Sequence, residues 1–587
     1  MRFCRLSAGV VLLTAAVFAL GVGGGHLGVD DWSYTYGCEF VRTGLSWTNV
    51  GRAFSEIGYC AIWMPLTFVS YMADFTLFGG GWPVHHAVNV ALHAVNAGLV
   101  FAFLLMLVRR FGRAEGKGAA WTCAAAALVW ALHPMRAEAV AFVASRKEEL
   151  WTLFALAGLM AWIGFIERGG AVRYLLTLLF GTLACLSKPT AVCFPILAWI
   201  LQVMVTRRPF RRWWAYLPML AVSAFVGLAF SYSQSHPTGL APSEMFVGSL
   251  DWRLLNAGVS LGLYVWHTFV PTGVRFDYRA VFGGWPVDGG IGLATLALAV
   301  FVTAWAVLFG AGKDRPADSG RIRRAVVFSV AWFLVGILPT LGVFGYVNGD
   351  QALADRYSYL PSIAFSILLA LTVVPNRLAA ALAAAALAAE VAFAVPVIRS
   401  FADDYSAFSR TLAKDPDHWR ALRVVGNEYC ARRGRMDEGV ALLRKSLRNH
   451  GSQLTADSLA YVLAIRGRPE DLAEVRRLGA AVARDFRRDV NGMMLDALGI
   501  AYLREGDDRN AAKLFKAALG VPRRNHSPGH SLLNLGLALA NLGRDAEART
   551  ALEKAAKDVN PEVRTRAAEA LGALHAGGRR PRFPWKP

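Results

Sequence analysis

The sequence predicts an all-α protein in two parts, a polytopic transmembrane helical domain followed by a helical-repeat solenoid. Three observations carry this. The chain has 587 residues, 55% of them hydrophobic, and a mean hydropathy of +0.38, too apolar for an ordinary soluble protein of this length. Runs of ~15–25 residues nearly free of charge recur as far as Val397, each long enough as a helix to cross ~30 Å of hydrocarbon. After Arg399 the texture changes to Arg, Glu, Asp, Ala and Leu at helical spacing. The predicted organisation is therefore a membrane domain over 1–399, a repeat domain over 400–575 and a basic, Arg- and Pro-rich disordered tail over 576–587.

About 11 spans are predicted, at 7–25, 84–108, 119–132, 149–167, 172–187, 190–206, 213–233, 289–311, 325–345, 358–375 and 378–397. The formal net charge of +20 does not point to nucleic acid, because no basic, aromatic-interleaved soluble module is present. Basic residues instead cluster between apolar runs: Arg2 and Arg5, Arg109 to Lys117, Arg207 to Arg212, Lys313 to Arg324. Such clusters mark cytoplasmic loops. Leu6 to Val22 reads as a retained first helix rather than a cleaved signal peptide. The stretch 254–271 is apolar enough to span, but counting it would place Lys313 to Arg324 outside, so it is taken as re-entrant or interfacial. An odd number of spans then leaves the carboxy-terminal domain on the outer side. The seven cysteines do not form a disulfide scaffold; only Cys38 and Cys60 share a predicted outer loop, where a disulfide is an open alternative.

This topology collects several polar clusters on one face. Ionisable residues at membrane depth are costly and usually line a cavity or a site. Asp30 and Asp31 follow the first span directly, and adjacent carboxylates suit general-base chemistry because repulsion raises one pKa; a solvated Asp-Asp turn is the plain alternative. His86, Asn89 and His93 share a helix face at i, i+3, i+7, either as a polar seam between helices or as part of a site, and lack the acidic or thiolate company of a metal centre. His133, Arg136 and Glu138 precede Ser145-Arg146-Lys147-Glu148-Glu149, where Arg and Lys suit a phosphate. Lys188 stands nearly alone between two spans, as a phosphate ligand or a snorkelling lysine. Asp355, Arg356 and Tyr357 lie just before a late span, as an internal ion pair or a site for an anionic lipid phosphate.

Taken in order, these stations resemble the transmembrane and tetratricopeptide-repeat O-mannosyltransferase family and its bacterial relatives, within the GT-C glycosyltransferases. The matching motifs are Asp30-Asp31; Pro65-Leu66-Thr67; His86-Ala87-Val88-Asn89 to His93; His133-Pro134 with Glu138-Ala139-Val140; Arg146-Lys147-Glu148; Ser187-Lys188-Pro189; Pro271 with Asp277-Tyr278; and Ala354-Asp355-Arg356-Tyr357 with Tyr359-Leu360-Pro361. The resemblance implies transfer of a sugar from a polyprenyl-phosphate carrier to an acceptor hydroxyl on the outer face. Asp30 would be the base with Asp31 assisting. Lys188, Arg146 and Arg356 would hold the donor phosphate, with His86, His133, Arg136, Glu138, Lys147, Asp355 and Tyr357 around them. It also implies inverting chemistry without a bound metal or cofactor, the lipid-linked sugar being a co-substrate. Trp32, Tyr34 and Tyr36 have no match, which leaves the acceptor open. The Ala/Arg-rich, Gly-rich style suggests a bacterial inner membrane.

Two carboxy-terminal segments fit the ~34-residue tetratricopeptide template: Leu498, Gly499, Tyr502, Gly506, Ala511, Phe515, Ala518, Pro522; and Leu535, Gly536, Leu539, Gly543, Ala548, Leu552, Ala555, Pro561. A third, with Gly426, Tyr429, Gly434, Gly439 and Leu443, fits with one extra residue, and Ser452 to Asp485 is helical but degenerate. Stacked repeats expose a groove for a peptide or protein partner. A non-catalytic membrane-anchored scaffold, or a structural cap without ligand, is the alternative; a transporter is disfavoured because the two halves show no internal symmetry.

Overall fold

The computed structural model describes residues 2–28, 30–111, 117–236, 238, 249–279, 287–308, 316–343, 353–431, 434–485, 492–521, 528–558 and 560–575. The tail 576–587, residues 112–116 and 313–315 of two basic clusters, and Pro522 of the repeat template lie outside them. The described chain is helical throughout, apart from one isolated bridge between Tyr59 and Thr238. It divides into two compact units, Met1–Arg410 and Thr411–Pro587.

In the first unit, eight helices among the described residues are long and apolar enough to cross a membrane. They are Phe3–Gly21, Trp82–Arg110, Val143–Arg168, Pro189–Thr206, Trp213–Ser235, Gly289–Val307, Gly320–Thr340 and Arg377–Ser400. The predicted spans at 119–132 and 172–187 are shorter apolar helices, Gly118–Ala131 and Ala171–Ser187. The one at 358–375 contains only the ten-residue helix Ile363–Thr372. The stretch predicted as re-entrant or interfacial is an unbroken 20-residue helix, Leu250–Phe269, with no re-entrant turn. Asp251, Arg253 and His267 within it keep it out of the apolar set.

Burial sorts these helices. In Val143–Arg168, 67% of the most apolar window is buried, and in Trp82–Arg110 56%; in Gly289–Val307 and Arg377–Ser400 the share is 6%. The first two are therefore central, and the last two present their Leu, Val and Phe side chains outward, as lipid requires. The ends are set locally. Asn376 caps Arg377–Ser400 by accepting from the Ala379 N–H at 2.7 Å. Gly169 and Gly170, at φ +73° and +97°, turn the chain from Arg146–Arg168 into Ala171–Ser187 through a backbone region open mainly to glycine.

The second unit is a series of helical hairpins: Trp419–Ala431 with Met436–Asn449, Gln453–Arg466 with Pro469–Asp485, Gly492–Arg504 with Asp508–Gly520, and Gly529–Asn541 with Asp545–Ala555, followed by Pro561–His575. Each packs on the next in chain order, which is consistent with a tetratricopeptide-type stack. The template's small residues sit where helices meet. A Cβ on Gly499 would lie 2.6 Å from the Phe515 ring, and one on Gly536 2.6 Å from Leu552. The degenerate stretch also folds as a hairpin, because Ala456, Leu459, Ala460 and Leu463 bury one face. An open hollow of about 400 Å3 on this unit is lined by Arg509, Ala512, Lys513, Lys516, Leu542 and Arg544.

Candidate active site

The two adjacent aspartates have different surroundings. Asp31 opens the short helix Asp31–Tyr34 and is 1% exposed. Its Oδ2 accepts from the Leu27 N–H at 2.9 Å and its Oδ1 from the Ala144 N–H at 2.7 Å. One oxygen thus closes the first loop on itself, and the other fastens it to the turn before Arg146–Arg168. Burial pushes its carboxyl up to about 8, against the pull of those two N–H groups. Asp30 occupies the cap position of the same helix without using its side chain as a cap. It is half-buried, and its carboxylate accepts no hydrogen bond from any described residue. Its charge acts on Tyr34, Lys147 and Arg356.

Those neighbours form a cationic cluster drawn from three distant segments. Lys188, in the linker between Ala171–Ser187 and Pro189–Thr206, is 4% exposed. It pairs with Glu148, and its ammonium lies 4.8 Å from the Tyr357 ring. It does not snorkel outward. Arg356 pairs with Glu138, whose other oxygen accepts the Arg356 backbone N–H at 2.9 Å; the guanidinium lies 4.8 Å from the Tyr357 ring. Lys147 is 7% exposed. Its ammonium sits 4.7 Å from the Tyr34 ring and donates one long hydrogen bond, 3.5 Å, to the Tyr34 hydroxyl. Of the three cations it is the one without a carboxylate in contact among the described residues.

The other predicted residues are held elsewhere. Arg146 is enclosed: it donates to Asn89 Oδ1 at 2.7 Å, to the His85 carbonyl at 3.0 Å and to the Ser70 carbonyl at 3.3 Å, and pairs with Asp74 at 2.7 Å. Asp74 also holds His85 Nδ1 at 2.6 Å. With its donors so engaged, Arg146 is a strut between helices. His86 Nε2 bonds the Gly25 carbonyl at 2.8 Å, Asn89 donates to the Val140 carbonyl at 3.2 Å and His93 bonds the Tyr359 hydroxyl at 2.7 Å and the Ala131 carbonyl at 2.9 Å, so the His86, Asn89, His93 face ties its helix to the first loop and to neighbouring segments. His133 Nε2 bonds the Thr268 carbonyl at 3.1 Å. Arg136 donates to Ser358 Oγ at 2.6 Å, and Asp355 accepts from the Tyr278 hydroxyl at 2.8 Å. Burial pushes the Asp355 carboxyl well above the usual range. Cys38 and Cys60 are free thiols.

Sequence reasoning missed two groups. Asp74 lies inside the apolar helix Pro65–Phe78, and a lone acid in such a run was the available signal. Tyr34, noted only as an unmatched aromatic, forms one wall of the site.

No family model matches the chain. Among curated proteins, a Caenorhabditis elegans protein O-mannosyl-transferase is 24% identical over 339 residues, covering 55% of this chain and 44% of that protein. The similarity is to protein O-mannosyl-transferases. Human protein O-mannosyl-transferase TMTC4 is likewise 24% identical, over 347 residues, with 52% of this chain and 46% of the relative covered, and its mouse counterpart gives the same identity and coverage over 351 residues. The chain spans about half the length of the curated relatives it matches. These names agree with the family that the ordered motifs resemble.

Proposed function

We propose that the first unit is a multi-pass membrane glycosyltransferase that moves a sugar from a polyprenyl-phosphate carrier to an acceptor hydroxyl. The observation that carries this reading is a half-buried Asp30, its side chain not used as a helix cap, whose charge acts on Lys147 beside the Lys188–Glu148 and Arg356–Glu138 pairs. In a single displacement, the acceptor oxygen attacks the anomeric carbon while the bond from that carbon to the phosphate oxygen breaks. Asp30 takes the hydroxyl proton. The phosphate departs with added negative charge, which Lys147 stabilises by contact and Lys188 and Arg356 by their fields. Asp31 carries a proton near neutrality and so adds little repulsion beside the base. Such a reaction inverts the anomeric centre and calls for no metal.

The relatives' names make mannose the first sugar to test and protein hydroxyls the first acceptors. The acceptor faces the outer side of the membrane in this reading, where a repeat unit would receive a peptide partner; the basic hollow around Lys513 suits an acidic one. The decisive experiment reconstitutes the purified protein in liposomes with polyprenyl-phosphate sugar and compares wild type with Asp30→Asn. Loss of transfer with unchanged folding supports the reading. Full transfer by Asp30→Asn removes Asp30 as the base.

A further inference from the structure

The glycines of Gly21-Val-Gly-Gly-Gly-His-Leu-Gly28 are not slack. Three of them, Gly24, Gly25 and Gly28, lie against the segment that follows the last apolar helix of the first unit. The Gly25 N–H donates to the Ala402 carbonyl at 2.8 Å, and the Gly28 N–H is shared between the two oxygens of Asp404 at 3.0 and 3.1 Å. A side chain at Gly28 would push the Asp404 carboxylate aside, and the other two positions are close-packed. A Cβ on Gly28 would lie 2.8 Å from Asp404 Oδ2, one on Gly25 3.1 Å from the Ala402 carbonyl, and one on Gly24 3.4 Å from Ala402 Cα. From the other side, His86 holds the Gly25 carbonyl.

Asp404 is itself fixed. It opens the helix Asp404–Lys414. Near it, Phe401 and Phe408 meet the Phe276 ring edge-on at 5.7 and 5.3 Å, and Arg410 Nε donates to the Val274 carbonyl at 3.0 Å. A charged carboxylate accepting one backbone N–H with both oxygens is a stronger tie than a neutral hydrogen bond. It is made two residues before Asp30, whose own side chain makes no hydrogen bond with any described residue.

We propose that Asp404 is a positioning residue for the reaction, holding Gly28 so that Asp30 stands at the acceptor hydroxyl. This rests on Asp30 being the base. It explains why glycine occupies position 28 and why a carboxylate outside the charged cluster is directed at the first loop. Misplacing a reacting group by about 1 Å costs up to roughly a hundredfold in rate, so the effect belongs in kcat and not in donor binding.

The test measures sugar transfer by Asp404→Ala, Asp404→Glu and Gly28→Ala in liposomes, scaled to the folded fraction from size-exclusion and melting profiles. Asp404→Ala and Gly28→Ala are expected to lower kcat about tenfold to a hundredfold with the donor KM within twofold, and Asp404→Glu to recover part of it. Faster hydrogen exchange at the Gly28 amide in Asp404→Ala is the accompanying signature. Unchanged kcat per folded molecule in Asp404→Ala, or a raised donor KM with kcat intact, overturns the inference. A wild type inactive with every polyprenyl-phosphate sugar removes the base reading and this inference with it; an active wild type with an indifferent Asp404→Ala removes only the inference.

Discussion

Lys188 and Glu148 form an ion pair sealed from solvent, with side chains 5% and 1% exposed, and the second oxygen of Glu148 accepts the Trp151 indole N–H at 3.1 Å. Removing one member leaves a buried charge without its counter-charge, which typically costs about 3–5 kcal/mol. Lys188→Met should therefore lower the melting temperature in detergent sharply. The double variant Lys188→Met with Glu148→Gln should recover much of it, a non-additivity that thermal melting of all three reads directly.

Lys147 should behave in the opposite way. Among the described residues its ammonium has only the Tyr34 ring and hydroxyl as polar partners, in addition to long-range charge, so Lys147→Gln should leave the melting temperature unchanged or higher. The same change should lower kcat/KM for the lipid-linked donor by about a hundredfold or more, the scale expected when a donor to developing negative charge is lost. Arg146→Gln supplies the contrast: it strands Asp74 and should destabilise the fold. Transfer assays paired with melting profiles separate the two residues.

Stability should also fall with rising pH through Asp31. Its carboxyl titrates at about 8 in the folded protein against 3.8 ordinarily, so the folded state keeps a proton that the unfolded chain has released. The stabilisation is complete below about pH 4 and is lost as pH rises through 8, with a slope of at most ~1.4 kcal/mol per unit. Melting from pH 5 to 9 should show this decline in wild type and a flatter profile in Asp31→Asn. Equal slopes would show that Asp31 is ionised in the fold.

In the second unit, Gly499→Ala should cost about 1–3 kcal/mol by forcing the Phe515 ring aside. Gly520→Ala, where a Cβ meets nothing within 4 Å, should be neutral or slightly stabilising. Denaturant midpoints of the full chain decide between them.

Much of this was legible in the sequence because charge is conspicuous in an apolar background. Asp30, Lys188 and Arg356 each stood out between runs of Leu, Ala and Phe, and the structure brings them together. Their pairing was not legible, since nothing local in Lys188 or Glu148 names a partner 40 residues away. Residue type did not reveal the surroundings of Arg146: guanidinium suits phosphate, and four protein acceptors surround it. The helix Leu250–Phe269 escaped a clear reading because the basic-cluster pattern and its own apolar run gave conflicting parities. Ser452 to Asp485 looked degenerate because alanines, which bury little surface each, replace the larger residues that mark a repeat.

The buried ion pairs also bear on how the chain assembles. Glu138 is made long before Arg356, which follows 218 residues later. In the interval its carboxylate lacks the guanidinium that pairs with it in the fold, and burying it unpaired would be costly. Helices that insert one by one and then dock must therefore leave this pair among the last to close. A chain stopped before residue 353 would carry an unanswered acid in its interior, so completion of synthesis is itself read out as stability, and truncated products should be marked for degradation.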